Sequence, residues 1–253
     1  MKRVTKLFKQ LKRDGRCGLI AYVTCGDGDT VRFVHELESA GADAIELGIP
    51  FSDPIADGPV IQAASQRALA SGTTTRDVFA IARSIRERSE IPLIAFSYLN
   101  PILRYGPDAF ARDAAAAGID SLLLTDLPPE SGAELRKAMH VQGLGTIFLL
   151  APTSADTRIR AIDRASDGFV YYVSTTGVTG TRSELDPSLL TRLDEVRARL
   201  RNPIAVGFGI SRREHYALLR DHCDAIVVGS AIVRAIANGE SPGDVVRAIL
   251  NAP

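Results

Sequence analysis

Short, almost unbroken apolar runs recur along the chain: GLIAYVT (18–24), DAIELG (43–48), PLIAFSY (92–98), DSLLLT (120–125), GTIFLL (145–150), GFVYYV (168–173), PIAVGF (203–208) and DAIVVG (224–229). Strands buried on both faces of a parallel sheet read this way. Between them lie longer segments with apolar residues at helical spacing, such as TVRFVHELESAGA (30–42), DAFARDAAAAG (108–118), SGAELRKAMHVQG (131–143) and SRREHYALLRDH (211–222), most ending near a Gly. Eight strands, each followed by a helix, predict an α/β fold of the (β/α)8 TIM-barrel type. With no long linker or low-complexity stretch, residues 1–253 are expected to form one domain. A doubly wound sheet is the rival fold, but the rhythm shows no reversal point. Ahead of the first strand, Val4, Leu7, Phe8 and Leu11 recur at helical spacing and predict an extra N-terminal helix that docks on the barrel.

Three stretches resemble one another: AGADAIELG, AGIDSLLLT and HCDAIVVG. Each ends a helix, turns through Asp and enters a strand. In a barrel such turns lie at the N-terminal rim, so Asp43 and Asp224 read as turn residues, and the chemistry is sought at the opposite, C-terminal rim.

Composition narrows the partners. Thirty basic and thirty acidic side chains cancel, so overall charge gives no reason to expect a nucleic acid or an anionic membrane. The three cysteines, Cys17, Cys25 and Cys223, form no CxxC, and the four histidines form no close pair, so neither a disulfide framework nor a metal site is expected. The basic, amphipathic N-terminus lacks the form of a signal peptide, and no apolar run is long enough to span a membrane; the expected location is the cytoplasm.

The stretch ELGIPFSDPIADGP (46–59) carries Glu46, Asp53 and Asp57 on a segment stiffened by Pro50, Pro54 and Pro59. Strand alternation puts Ala44 and Glu46 inside the barrel and Ile45 and Leu47 against the helices. A carboxylate in that interior has a raised pKa and suits general acid/base work, although a structural ion pair across the barrel is an alternative reading. Asp53 and Asp57 are either ligand-facing or turn and cap residues, and Gly58-Pro59 is a helix start. Three later loops, STTGVTGTRS (174–183), GFGIS (207–211) and VGSAIV (228–233), are rich in Gly and hydroxyls, as anion-binding turns are. Gly180, Gly209, Gly229 and Ser230 are placed to hold a phosphate. The same loops also have a capping explanation: Ser211-Arg-Arg-Glu214 is a capping box, and Ser230 can start the next helix. Of Tyr171 and Tyr172, one must face the barrel, as a site phenol or as a core aromatic.

Taken together, ELGIPFSDPIADGPVIQAA (46–64), YVTCGD (22–27), NPILRYG (100–106), TDLPPES (125–131), STTGVTG (174–180), VGFGIS (206–211) and VVGSAIV (227–233) closely resemble the tryptophan synthase alpha subunit family over nearly the whole chain. The resemblance implies a (β/α)8 lyase that cleaves indole-3-glycerol phosphate to indole and glyceraldehyde 3-phosphate. It implies Glu46 as general acid/base and Asp57 as the partner of the indole N–H, with Tyr171 supporting Asp57. Tyr22 and Phe208 are implied around the substrate, and Gly180, Gly209, Gly229 and Ser230 around its phosphate. It implies no metal or cofactor in this chain, and an α2β2 assembly with a beta subunit that carries pyridoxal phosphate. The docking face would include Pro54, Ile55, Asn100, Pro101 and Leu103, and the segment 174–186 would be a mobile lid. The chain departs from the family in carrying Tyr22 where Phe is common, Gly28 where Pro is common, and Phe96-Ser97-Tyr98-Leu99 where Met is common. Three other readings share parts of this pattern: another phosphate-binding barrel such as an epimerase or isomerase, a stand-alone indole-releasing lyase, and a non-catalytic subunit.

Overall fold

A computed structural model of the chain describes residues 2–173, 188–207 and 209–250. Its strands are β1 (Gly18–Thr24), β2 (Ala44–Gly48), β3 (Leu93–Ser97), β4 (Ser121–Leu124), β5 (Gly145–Ile147), β6 (Leu149–Leu150), β7 (Val170–Val173), β8 (Ile204–Gly207) and β9 (Ala225–Val228). All pair in parallel, in the order β5-β4-β3-β2-β1-β9-β8-β7-β6. The two ends of that order are pieces of one run. The predicted strand 145–150 is interrupted at Phe148, whose N–H turns to the Ser166 hydroxyl at 3.3 Å while its carbonyl accepts from Tyr171 N–H at 3.1 Å. β5 pairs with β4 and β6 with β7, so the chain itself carries the sheet round into a (β/α)8 barrel.

Alternation sorts the side chains as the period of two requires. Ile20, Tyr22, Ala44, Ile94, Phe96, Leu123, Ile147, Phe169 and Tyr171 pack inside the barrel. Leu19, Ile45, Leu47, Leu93, Val170 and Tyr172 pack against the helices. The predicted helices form, among them Thr30–Ser39, Pro107–Ala116, Ala133–Val141 and Arg213–Leu219. The N-terminal helix Lys2–Asp14 closes the bottom of the barrel, with Val4, Phe8 and Leu11 joining the interior core and Phe8 lying 5.2 Å from Phe169, ring to ring. Glycine is required where this helix seats: a Cβ on Gly18 would stand 2.6 Å from Leu11, and one on Gly168 2.7 Å from Val4.

The repeated aspartates at this rim share one geometry. Asp43 N–H donates to the Leu19 carbonyl at 2.8 Å, and its carboxylate accepts the N–H of the same Leu19 at 2.9 Å. Asp120 grips Leu93 in the same way (2.8 and 3.0 Å), Asp167 grips Thr146 (2.7 and 3.0 Å) and Asp224 grips Ile204 (2.9 and 2.8 Å). Each carboxylate is also met from outside, by Arg16, Arg86, His140 and Arg197 respectively. Asp43 and Asp224 are therefore turn residues, as their position predicts, and their turns lock neighbouring strands in register. Asp120 is the most deeply buried of the four, at 2 % exposure. Replacing Asp120 with Ala leaves the Leu93 N–H and the Arg86 guanidinium without this partner. The substitution is expected to cost about 3–5 kcal/mol; an unchanged urea midpoint would show that the clasp contributes nothing.

Candidate active site

Glu46 is carried on β2, two residues before the glycine that ends the strand, and faces the barrel interior as its alternation predicts. It is 1 % exposed, and its Oε1 has no hydrogen-bond partner. Burial pushes its pKa up from 4.5 to about 8. Asp57 lies at the end of the loop after β2, just before Gly58 and Pro59, which serve as N-cap and first residue of the helix Pro59–Ala70. It is 5 % exposed, and burial raises its pKa to about 6 against the opposing effect of a hydrogen bond from Tyr98. Asp53 is exposed and accepts from Ser52 Oγ at 2.5 Å, so of the three carboxylates in this stretch it is the turn residue.

Tyr22, Glu46, Asp57, Tyr171, Gly209, Gly229 and Ser230 line one pocket at the C-terminal rim, joined by Ile61, Phe96, Ile210, Ser211, Val227 and Ala231. Tyr22 stands edge-on to Phe96 with ring centroids 5.2 Å apart. Its hydroxyl donor partner is Thr24, at 3.4 Å, and a Cβ on Gly48 would lie 2.2 Å from it. The Tyr171 hydroxyl similarly lies over Gly207, 2.0 Å from where a Cβ would stand. Both phenols are held well above their ordinary pKa, chiefly by burial, and stay protonated. The two wall tyrosines thus demand glycine at the ends of β2 and β8.

Sequence reasoning missed one group that holds Asp57. The hydrogen bond comes from Tyr98, whose hydroxyl donates to Asp57 Oδ2 at 3.0 Å. Tyr171, which the resemblance implies as a support of Asp57, lines the same pocket from β7. Tyr98 follows β3 directly, at the rim where barrel enzymes keep their functional groups, and that placement was the available signal. The capping box expected at Ser211 does not form. Arg212 is the N-cap of Arg213–Leu219, and Ser211 N–H donates to His215 Nδ1 at 3.3 Å, which leaves Ser211 lining the pocket. Ser230 is likewise not a cap: Gly229 is, and Ser230 begins the helix Ser230–Ala237. Gly229 caps without a side-chain hydrogen bond, and Gly229, Ser230 and Ala231 at the start of that helix line the pocket. Gly180, Phe208 and the candidate lid 174–186 lie outside the described residues. Among the described residues no cluster of His, Cys, Asp and Glu could hold a metal ion, and no helix is long and apolar enough to cross a membrane.

The barrel and its carboxylate pocket define the class, a (β/α)8-barrel enzyme with its site at the C-terminal rim. The family model described as tryptophan synthase alpha chain matches residues 8–251. The tryptophan synthase alpha chain of Solibacter usitatus is 55% identical over 95% of this chain and 92% of its own length. Among solved structures, tryptophan synthase from Mycobacterium tuberculosis aligns with a TM-score of 0.88 at 37% identity, over 98% of each chain. The α2β2 complex from Pyrococcus furiosus aligns with a TM-score of 0.86 at 40% identity, over 92% of this chain and 98% of that one. The chain belongs to the tryptophan synthase alpha chain family. The family's reaction is the cleavage of indole-3-glycerol phosphate, a carbon–carbon lyase reaction in tryptophan biosynthesis; the alpha chain needs no cofactor for it, and pyridoxal phosphate resides in the beta subunit.

The burial of Glu46 has a consequence for stability. Below pH 4.5 the folded and unfolded chains both hold its proton. Between 4.5 and about 8 the unfolded chain releases the proton while the folded one keeps it, so stability falls as pH rises through this window. Glu46→Gln has no proton to release. It is expected to match the wild type near pH 4 and to exceed it at pH 8 by about 2–4 kcal/mol. Chemical denaturation of both proteins across this range measures the difference, and parallel curves would contradict a buried, protonated Glu46.

Proposed function

We propose that this chain cleaves indole-3-glycerol phosphate with Glu46 as general acid and base and Asp57 as the group that stabilises the cationic intermediate. The observation that carries the reading is the pair of carboxylates in one pocket with pKa values pushed apart, Glu46 to about 8 and Asp57 to about 6. Near neutral pH Glu46 is then a proton donor and Asp57 an anion, the states the reaction requires.

Indole is a poor carbanion leaving group. The protonated Glu46 gives its proton to indole C3, which converts the ring to an indolenine cation. Asp57, ionised, accepts a hydrogen bond from the ring N–H and stabilises the charge that grows there. The Glu46 carboxylate then removes the proton of the C3′ hydroxyl. The C–O bond becomes the aldehyde carbonyl, the C–C pair returns to the ring, and Glu46 regains its proton. Tyr22 and Phe96 offer an apolar wall to the indole. Gly209, Gly229, Ser230 and the N-terminus of Ser230–Ala237 are suited to the phosphate at the other end, with Gly180 expected to complete that site and Phe208 the indole side. Holding the substrate at both ends contributes several kcal/mol through orientation.

A beta subunit is the expected partner, in an α2β2 assembly. Ile55 (80 % exposed) and Leu103 (55 %) support a docking face around Pro54, Asn100 and Pro101. Three free, buried cysteines fit a cytoplasmic location.

The test is indole release by the purified chain, with and without added beta subunit. The profile of kcat/KM against pH is expected to be bell-shaped, with limbs near 6 and 8 from the two carboxylates. Glu46→Gln is expected to lower kcat by about a hundredfold or more, the usual weight of a general acid/base. Full activity in Glu46→Gln would overturn the mechanism, and full wild-type activity without the partner would identify a stand-alone lyase.

A further inference from the structure

The loop between β2 and the helix Pro59–Ala70 carries the exposed Ile55 and the buried Asp57 only two residues apart. Tyr98 joins the two. Its ring packs on Phe51 with centroids 5.3 Å apart, and its hydroxyl accepts the N–H of Ala56 at 3.0 Å. Because the hydroxyl oxygen is engaged from that side, its proton is directed to Asp57 Oδ2, also at 3.0 Å. Asp57 is held from behind as well, by Gln62 Nε2 on its carbonyl at 2.8 Å. The other titratable groups facing Asp57 are the phenols of Tyr22 on β1 and Tyr171 on β7; Glu46 on β2 lines the same pocket.

We propose that Tyr98 is a positioning residue for the lyase reaction, which aims the ionised carboxylate of Asp57 into the pocket and ties it to the loop that carries Ile55. This rests on the role assigned to Asp57 above. Tyr98→Phe keeps the ring stack and removes the donor. Its kcat is expected to fall about tenfold or more, the weight of a hydrogen bond to a charged group, with little change in KM. Since the Tyr98 hydrogen bond holds the Asp57 pKa down, the acidic limb of kcat/KM is expected to move to higher pH. Wild type, Asp57→Asn and Tyr98→Phe are assayed together with the beta subunit, alongside their melting temperatures. An inactive wild type, or an active Asp57→Asn, defeats the reading of Asp57 itself. Loss of activity in Asp57→Asn together with an unmoved limb in Tyr98→Phe overturns the role of Tyr98 alone, whatever its melting temperature.

A second observation lies at the opposite end of the barrel. The thiols of Cys17, just before β1, and Cys223, just before β9, are buried with their sulfurs 3.7 Å apart. The two strands pair directly, Gly18 beside Ala225. We infer that this pair is a latent disulfide across the seam between the first and last strands. An added low-molecular-weight disulfide supplies the oxidant: the two thiols give up two protons and two electrons, one S–S bond forms, and two molecules of the small thiol leave. The hydrogen bond with the Cys17 thiol, and then burial, hold Cys223 well above its ordinary pKa, so the exchange is slow. Oxidised glutathione is applied to the native full-length chain. The expected product has lost two hydrogens, carries no glutathione, presents one remaining thiol, Cys25, after unfolding, and melts at a higher temperature. A stable glutathione adduct, or the same mass loss in Cys17→Ser, overturns the pairing.

Discussion

Parallel strands share no tight hairpin that could set their register, so a barrel of this kind must fix it elsewhere. Here four aspartates do so at the N-terminal rim. Each holds both the N–H and the carbonyl of one residue on the strand before it: Leu19, Leu93, Thr146 and Ile204. A slip of one residue would turn every side chain of a strand to its other face. Glu46 would leave the pocket for the helix layer, and Ile45 or Leu47 would replace it. The clasps lie at the end of the barrel remote from the pocket, yet the placement of the Glu46 carboxylate depends on them.

At the other end the same burial that makes the interior stable raises the pKa of the carboxylates it holds. Glu46 stands among apolar side chains with one oxygen unpartnered, and this keeps a proton on it at neutral pH. Asp57 is almost as deeply buried, but it has a hydroxyl donor in Tyr98, and so it ionises at lower pH. That hydrogen bond, together with slightly lesser burial, sets the pKa of Asp57 below that of Glu46. The wall tyrosines complete the arrangement by resting on glycines, with Tyr22 over Gly48 and Tyr171 over Gly207, and so leave the pocket open between them.

Much of this was legible along the chain. Period-two alternation put Glu46 inside and Ile45 and Leu47 outside, and the recurring Asp before a strand marked the turns that became clasps. The features that escaped depend on contacts between elements. Tyr98 reaches Asp57 because β3 runs beside β2, with Phe96 opposite Gly48, and no local pattern carries that register. The capping box at Ser211 was a sound local signal, but the ring of His215 took the backbone N–H of Ser211 and the helix began two residues later. The run 145–150 reads as one strand, and its break at Phe148 comes with the Ser166 hydroxyl, supplied by the end of the following helix Asp156–Ala165.

The plug formed by the N-terminal helix bears on the order in which the molecule can be made. Lys2–Asp14 is made well before Gly168 and Phe169, which receive Val4 and Phe8 and follow more than a hundred and fifty residues later. β1 meets the same delay, since its second neighbour is β9, made some two hundred residues after it. The apolar stripe of Val4, Phe8 and Leu11 therefore stays uncovered until those later residues are made, and the barrel floor can be sealed only after β9 has followed. The basic residues on the other face of that helix, Lys6, Lys9, Lys12 and Arg13, keep it hydrated while it waits.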